Sequence, residues 1–323
     1  MRKNTWISSA AALAFMILLF GLGQYTFITA AVMFQMMVFL ALAQGINVLY
    51  GFTGYLPFGY VGFFGAGAYG ASVAITMWHL PVLLAMLFGM VVAGLVGVVL
   101  LPMLRLSGAY FAIGSLAAAE IVYNVVSNPN LQSITNGPYG VDLSSVFNSS
   151  LSYWMMLVAV VLTTLFVIYI RHSQFGFSLL ALRDDPISAA MSGVNVVRAR
   201  TIAWVASALI AGLTGAIYAW NISVFYPDAV FDLSISIFAI VFMLFGGRAT
   251  LWGPILGTVV LYGIYNYIGV STPQYFQLVY GLLIVGLILF LPNGVMSLLG
   301  VRRRRKRSDP QTPNPSEEVA FDA

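Results

Sequence analysis

Apolar residues in this chain gather in runs of about 18 to 25, the length a helix needs to cross the hydrocarbon core of a bilayer. Uninterrupted runs cover 6–23, 31–50, 81–101, 108–126, 153–170, 201–222, 233–245 and 275–291. Two more are broken by glycine. The stretch 51–70 carries Gly51, Gly54, Pro57 and Gly59 among aromatics, and a second break at 246–254, starting with Gly246 and Gly247, precedes a run that ends near Ile268. Barrel strands would alternate polar and apolar positions in segments of about ten residues, so the pattern predicts helices throughout. The expected fold is an all-α polytopic membrane helix bundle of about ten transmembrane helices, two of them glycine-broken. Irregular backbone at membrane depth survives only where protein buries it or a wet cavity receives it. Gly51, Gly54, Pro57, Gly59, Gly246 and Gly247 are therefore candidates for a translocation path. Gly62, Gly65 and Gly67 read more simply as points of tight helix contact.

Between the runs 153–170 and 201–222 lies a polar island, 171–200. Within it Asp185 can cap free backbone N–H groups, and Pro186 follows at a position where a missing N–H costs nothing. Gly193 supplies the stop. The two turns between them are too short to be stable alone in water, where helices under about 12 residues are marginal. Such a piece needs a surface to lie against. Ala189 and Ala190 would let another backbone approach, and Arg183, Arg198 and Arg200 bracket the piece with positive charge. On these residues alone the island is either a cytoplasmic docking loop or an ordinary connection between helices.

Composition narrows the choice of class. Residues are 60% hydrophobic and only 7% charged, whereas a soluble globule is usually about a quarter charged. Cysteine is absent and there are only His79 and His172, which removes disulfides and cysteine-ligated metals and disfavours any metal site. With an uncleaved first helix and the N-terminus inside, all 14 Lys and Arg residues fall in inner segments, a complete positive-inside bias. The division is a permease domain, 1–301, containing the loop 171–200, and a tail, 302–323, that begins with six basic residues and continues polar and disordered. Residues 49–59 resemble 244–253, each at a break, which suggests internal duplication of the kind transporters show. Glu120 is the acidic residue placed within a span, with Asn124 one turn later as its expected partner. It is either a path residue or a neutral group joining two helices.

Several functions are disfavoured. An ion-coupled pump would carry several intramembrane carboxylates or histidines, and the spans hold essentially Glu120. No nucleophile or metal constellation supports an enzyme, and no G-x-x-x-x-G-K-[ST] loop exists for ATP. The sequence is expected to be a pathway whose energy comes from a separate protein, with no cofactor of its own and no nucleic-acid partner.

At this point several motifs in order resemble one family. They are Gly45-Ile46-Asn47-Val48-Leu49 with Gly51 and Gly54, Tyr110-Phe111-Ala112-Ile113 with Ala119-Glu120-Ile121, and Thr135-Asn136-Gly137-Pro138. They continue with Phe175-Gly176, Leu182-Arg183-Asp184-Asp185, Ala189-Ala190, Gly193-Val194-Asn195-Val196, Ser207-Ala208 with Ala211-Gly212, and Gly246-Gly247 with Thr250-Leu251-Trp252-Gly253-Pro254. The chain resembles the LivM-type permease subunits of branched-chain amino acid ABC importers over about residues 43–292. The resemblance implies a LivH-like second permease, two cytosolic ATPase subunits that bind the ATP, a periplasmic substrate-binding protein and a place in the bacterial inner membrane. It makes Arg183, Asp184, Asp185, Ala189, Ala190 and Gly193 the ATPase-coupling residues. Two departures stand out: Phe177 and Pro186 occupy positions usually charged in similar proteins, and Ala249 replaces a common glycine. Largely uncharged breaks suit a zwitterionic aliphatic amino acid, with urea or amides as alternatives, and a self-sufficient channel as the competing class.

Overall fold

The computed structural model describes residues 2–23, 29–271, 281–282 and 285–286. Most of the expected last span and the whole basic tail lie outside these described residues. In a bilayer, backbone groups have no water to bond, so apolar runs fold as helices that satisfy themselves. The chain runs α1 (Arg2–Gly23), α2 (Ala30–Ile46), a π-turn (Asn47–Gly51), a 3-10 turn (Phe58–Tyr60), α3 (Val61–Thr76), α4 (Val82–Val99) and α5 (Gly108–Val126). After the short α6 (Gln132–Thr135) and β1 (Val141–Asp142) come α7 (Ser149–His172), α8 (Gln174–Asp184), α9 (Pro186–Met191) and α10 (Val196–Ile222). β2 (Val224–Phe225), α11 (Pro227–Val230), α12 (Leu233–Gly246) and α13 (Trp252–Ser271) follow. Seven described helical stretches are long and apolar enough to cross a membrane, and α1 adds the shorter apolar piece Ile7–Gly23.

α3 is the central helix: 89% of its spanning window is buried, against 33% for α4 and for α5, which leaves those two at the periphery. Lipid tails are as apolar as leucine, so helices here associate through close packing and hydrogen bonds rather than through water exclusion. Glycine makes that packing close. A Cβ on Gly67 would lie 2.1 Å from the Gly212 carbonyl oxygen of α10, and one on Gly89 of α4 would lie 2.4 Å from the Gly67 oxygen. A Cβ on Gly65 would lie 2.4 Å from the Phe231 ring, and one on Gly62 2.9 Å from Ala119. The contact role expected for these residues is what they have.

Charge separates the two ends of the bundle. At one end Arg183 reaches the Gly51 carbonyl, Arg105 and Arg200 line one cavity, and the turn after Arg248 bonds Asn47. At the other end β1 pairs antiparallel with β2, Val141 against Phe225, and Leu143 N–H donates to the Ser223 oxygen at 2.7 Å. There Trp220 Nε1 donates to the Val146 oxygen at 2.8 Å and Asn221 Nδ2 to Ser152 Oγ at 2.6 Å. Asp142, Asp228 and Asp232 belong to this second end, and no Lys or Arg of residues 29–271 does.

The polar island differs from the expected loop. Ser173 Oγ accepts from Gly176 N–H at 3.1 Å and starts a whole helix, α8, and α10 begins at Val196, a turn before the expected span. The first break is also shorter than the glycine content suggested, because regular helix resumes at Val61.

Candidate functional site

α9 is built as its residues dictate. Asp185 Oδ1 accepts from Ile187 N–H at 2.9 Å and the Ser188 hydroxyl bonds its other oxygen, with Pro186 in the first turn. These donors hold the Asp185 carboxyl below its usual range, the Ser188 hydroxyl contributing most and Ile187 N–H next. The helix ends in a Schellman motif: Val194 N–H donates to the Ala189 oxygen at 3.1 Å and Gly193 N–H to the Ala190 oxygen at 3.0 Å, with Gly193 at φ +85°. Ala189 is buried against its own chain, so only Ala190 of the small pair faces outward. Ile187 and Met191, one turn apart, are 73% and 85% exposed, and Phe177 of α8 is 64% exposed. Together they form an apolar outer face on an otherwise charged segment.

Arg183 connects this segment to the first glycine break. Its Nη1 donates to the Gly51 carbonyl at 2.8 Å, while Nε and Nη2 engage Asp184 Oδ1 at 3.3 and 3.2 Å. Gly54 sits beside it at φ +83°, a conformation only glycine adopts freely, and a Cβ there would lie 3.3 Å from Arg183 Cγ. These groups line a cavity of about 550 Å³ between the break, the start of α5 and α9, which Arg200 also enters.

The two breaks are joined to each other. Asn47, fully buried in the π-turn, donates through Nδ2 to the Thr250 oxygen at 2.9 Å and accepts through Oδ1 from Ala249 N–H at 2.8 Å. Gln44 Nε2 reaches the Leu251 oxygen at 3.4 Å. The second break turns on Gly247 at φ +120° and Ala249 at φ +57°, so the alanine that replaces the family's common glycine sits in the left-handed region. The open start of α3 is satisfied from other helices: Gly59 N–H donates to Ser115 Oγ at 3.2 Å and Val61 N–H to Ser236 Oγ at 2.7 Å. Asn47, Ser115 and Ser236 were not among the expected site residues. Asn47 lay in a quoted motif, but nothing local announces its partners.

The expected path residues therefore do not share one lining. Gly54 borders the cavity, as do Leu56 and Phe58 on either side of Pro57, and Gly51 contributes its carbonyl. Gly59 and Gly246 are closed off by backbone, since a Cβ on each would fall 1.7 Å from the Ser115 and Gly253 oxygens respectively. Glu120 is exposed, and its partner is Asn124 as expected, Nδ2 to Oε1 at 3.2 Å. Among the described residues it joins no second helix, because both groups lie on α5. Tyr123 beside them donates to Asp228 at 2.6 Å.

The family model described as "Branched-chain amino acid transport system / permease component" matches residues 8–288. The chain belongs to that family. This permease is 26% identical over 294 residues to the high-affinity branched-chain amino acid transport system permease protein LivM of Salmonella typhimurium, covering 81% of this chain and 68% of the relative. It is 24% identical over 244 residues to the probable LivM of Methanocaldococcus jannaschii, covering 69% of each. A 138-residue part is 32% identical to the fructose import permease protein FrcC of Rhizobium meliloti, covering 40% of this permease and 38% of that one. The permease is LivM-type, as its motifs suggested.

Proposed function

We propose that this permease is one membrane subunit of an ATP-driven importer that brings branched-chain or related amino acids into the cytoplasm. It works beside a LivH-like second permease, receives substrate from a periplasmic binding protein, and is driven by two separate ATPase subunits that bind the ATP. It crosses the bacterial inner membrane ten times with both termini cytoplasmic, and its two halves descend from duplication. The amino acid substrate follows the LivM relatives.

One observation carries the coupling part of this reading. α9 is anchored inward by Ala189 and presents Ile187, Ala190 and Met191 outward at the arginine-rich end, while its neighbour Arg183 holds the Gly51 carbonyl of the first break. A force on α9 thus has a direct bond to the bundle interior. The path is assigned to the open face of α5, where a carboxylate amid apolar side chains needs water or a partner rather than lipid.

The test is co-purification from native membranes of wild type and of a variant scrambled over 183–195. ATPase subunits and a second permease with wild type, and loss of the ATPases with the variant, are expected. A chain that purifies alone, or ATPases that stay with the scrambled loop, would overturn the reading.

A further inference from the structure

Among the described residues, the cavity at the foot of α5 holds an arginine that makes no ion pair. Arg200 lies over the Tyr55 ring, 4.9 Å from Cζ to its centroid, and its Nε is buried without a hydrogen-bond partner. Arg183 on the opposite wall spends its one carboxylate contact on Asp184, and Arg105 lines the adjoining cavity with Arg200. Among the described residues, three guanidinium groups thus line the two adjoining cavities, and Asp184 is the carboxylate paired to them. The cavity floor is the start of α5, where Gly108 and Ala109 line it and Ser107 makes no side-chain cap. An uncapped helix start, a half-committed Arg183 and an unpaired Arg200 all favour the same occupant, an oxyanion.

The walls say more about that occupant. Tyr50, Leu56, Phe58, Phe111 and Leu182 make most of the lining apolar, and about 550 Å³ falls within the range of small-molecule sites, about 300 to 1,000 Å³. On α5, Ala109 at the cavity and Glu120 lie on one stripe, with Ile113 and Leu116 between them. Eleven residues place Glu120 roughly 16 Å further along the axis at about 1.5 Å per residue. The open face therefore offers a negative group above and positive groups below.

We infer that the Arg183–Arg200 cavity is the exit site of the path, which takes the carboxylate of the departing amino acid while its aliphatic side chain rests on the aromatic wall. This rests on the importer reading and gives it a substrate class, an aliphatic solute with a free carboxylate. Glu120 meets the ammonium group earlier on the same stripe. Urea and amides, without a carboxylate, gain nothing from the site.

The test is arginine footprinting of the complex as it co-purifies, in nanodiscs of zwitterionic lipid, with phenylglyoxal labelling of Arg183 and Arg200 read by mass spectrometry. Probes are L-leucine, 4-methylpentanoate, 3-methylbutylamine and inorganic phosphate. L-Leucine and 4-methylpentanoate are expected to slow labelling of Arg200 several-fold, and 3-methylbutylamine to leave it unchanged. Arg200→Gln should weaken carboxylate protection at Arg183 by about tenfold, the worth of one charge-assisted hydrogen bond, with Arg200→Lys retaining part of it. Protection by phosphate alone, protection by the amine, or no protection in wild type overturns the inference. So does an Arg200 that resists labelling in the complex without any ligand but labels in the isolated permease, which would give it to a partner subunit. Retention of the ATPases in the same sample reads the importer proposal separately. If they are retained and labelling ignores carboxylates, only the exit site falls; if they are absent, the importer reading falls whatever the labelling.

Discussion

Asn47→Leu keeps the heavy-atom count and branching of a buried side chain and removes both of its hydrogen bonds. The Ala249 N–H and the Thr250 oxygen, held at 2.8 and 2.9 Å in the wild type, lose their partner. An orphaned buried backbone group costs about 1–3 kcal/mol, so two would cost about 2–6. Residues 249 and 250 are partly exposed, which lets water recover some of this and places the loss at the lower end, about 2–3 kcal/mol. That is roughly a 30- to 150-fold fall in the folded-to-unfolded ratio. The measurement is the unfolding midpoint in mild detergent, followed by tryptophan fluorescence, with uptake by the reconstituted complex alongside. A double-mutant cycle adds a sharper readout. A Cβ on Gly51 would stand 2.2 Å from Asn47 Oδ1 and 2.8 Å from Ala249 N, so Gly51→Ala should cost less in an Asn47→Ala background than in wild type. Wild-type stability and uptake in Asn47→Leu, or additivity of the two alanine changes, would refute the idea that Asn47 clamps the breaks together.

Further outcomes are expected. Ala190→Pro removes a helical hydrogen bond from α9 at a cost of about 3 kcal/mol, and co-purification should show the ATPases lost from a chain that still inserts. Ala249→Gly relieves a left-handed alanine at φ +57° and should raise the free energy of unfolding by about 1 kcal/mol, read as a higher unfolding midpoint. Glu120→Gln should unfold like wild type, because its side chain bonds only its own helix, yet transport less; full activity in a counterflow assay would remove Glu120 from the path. The Asp185 carboxyl is held below its ordinary range, so its capping contribution is complete above that range and is lost only as pH falls through the lowered value. ATPase association should therefore be flat from about pH 5 to 8 as far as Asp185 is concerned, and an Asp185→Asn variant should follow the same profile there.

The parts of this fold written locally could be read locally. Asp185, Pro186 and Gly193 delimit α9 through bonds spanning a few residues, and the runs of apolar residues are the spans because lipid leaves the backbone no other choice. α8 escaped notice although Ser173 caps it and Arg183 sits in its last turn, because the basic pair Arg171 and His172 and then Gly176 gave the segment the look of a loop. The interior of the site was not legible at all. Asn47 bonds residues 202 and 203 positions away, and Val61 takes its cap from Ser236, 175 positions on. A single sequence records that these residues are polar and in apolar company; it does not record which backbone group each one meets. The glycines illustrate the same limit, since Gly54 borders a cavity and Gly59, five residues later, is pressed against Ser115.

The paired strands β1 and β2 have a mechanical meaning. With Trp220 and Asn221 they stitch the loop before α7 and the end of α10 into one rim, while toward its other end α10 is tied to α4, Trp204 Nε1 donating to the Gly97 oxygen at 2.8 Å, and touches the α8–α9 segment. A rod sewn to the rim at one end swings about that seam and carries the attached α4 with it. α10 is 27 residues long, about 40 Å, so a push of about 3 Å delivered at its arginine-bearing end tilts it by only about 4°. The rim then serves as a fulcrum, and the lever arm gives its largest displacements in the first turns of α10, which carry Arg198 and Arg200.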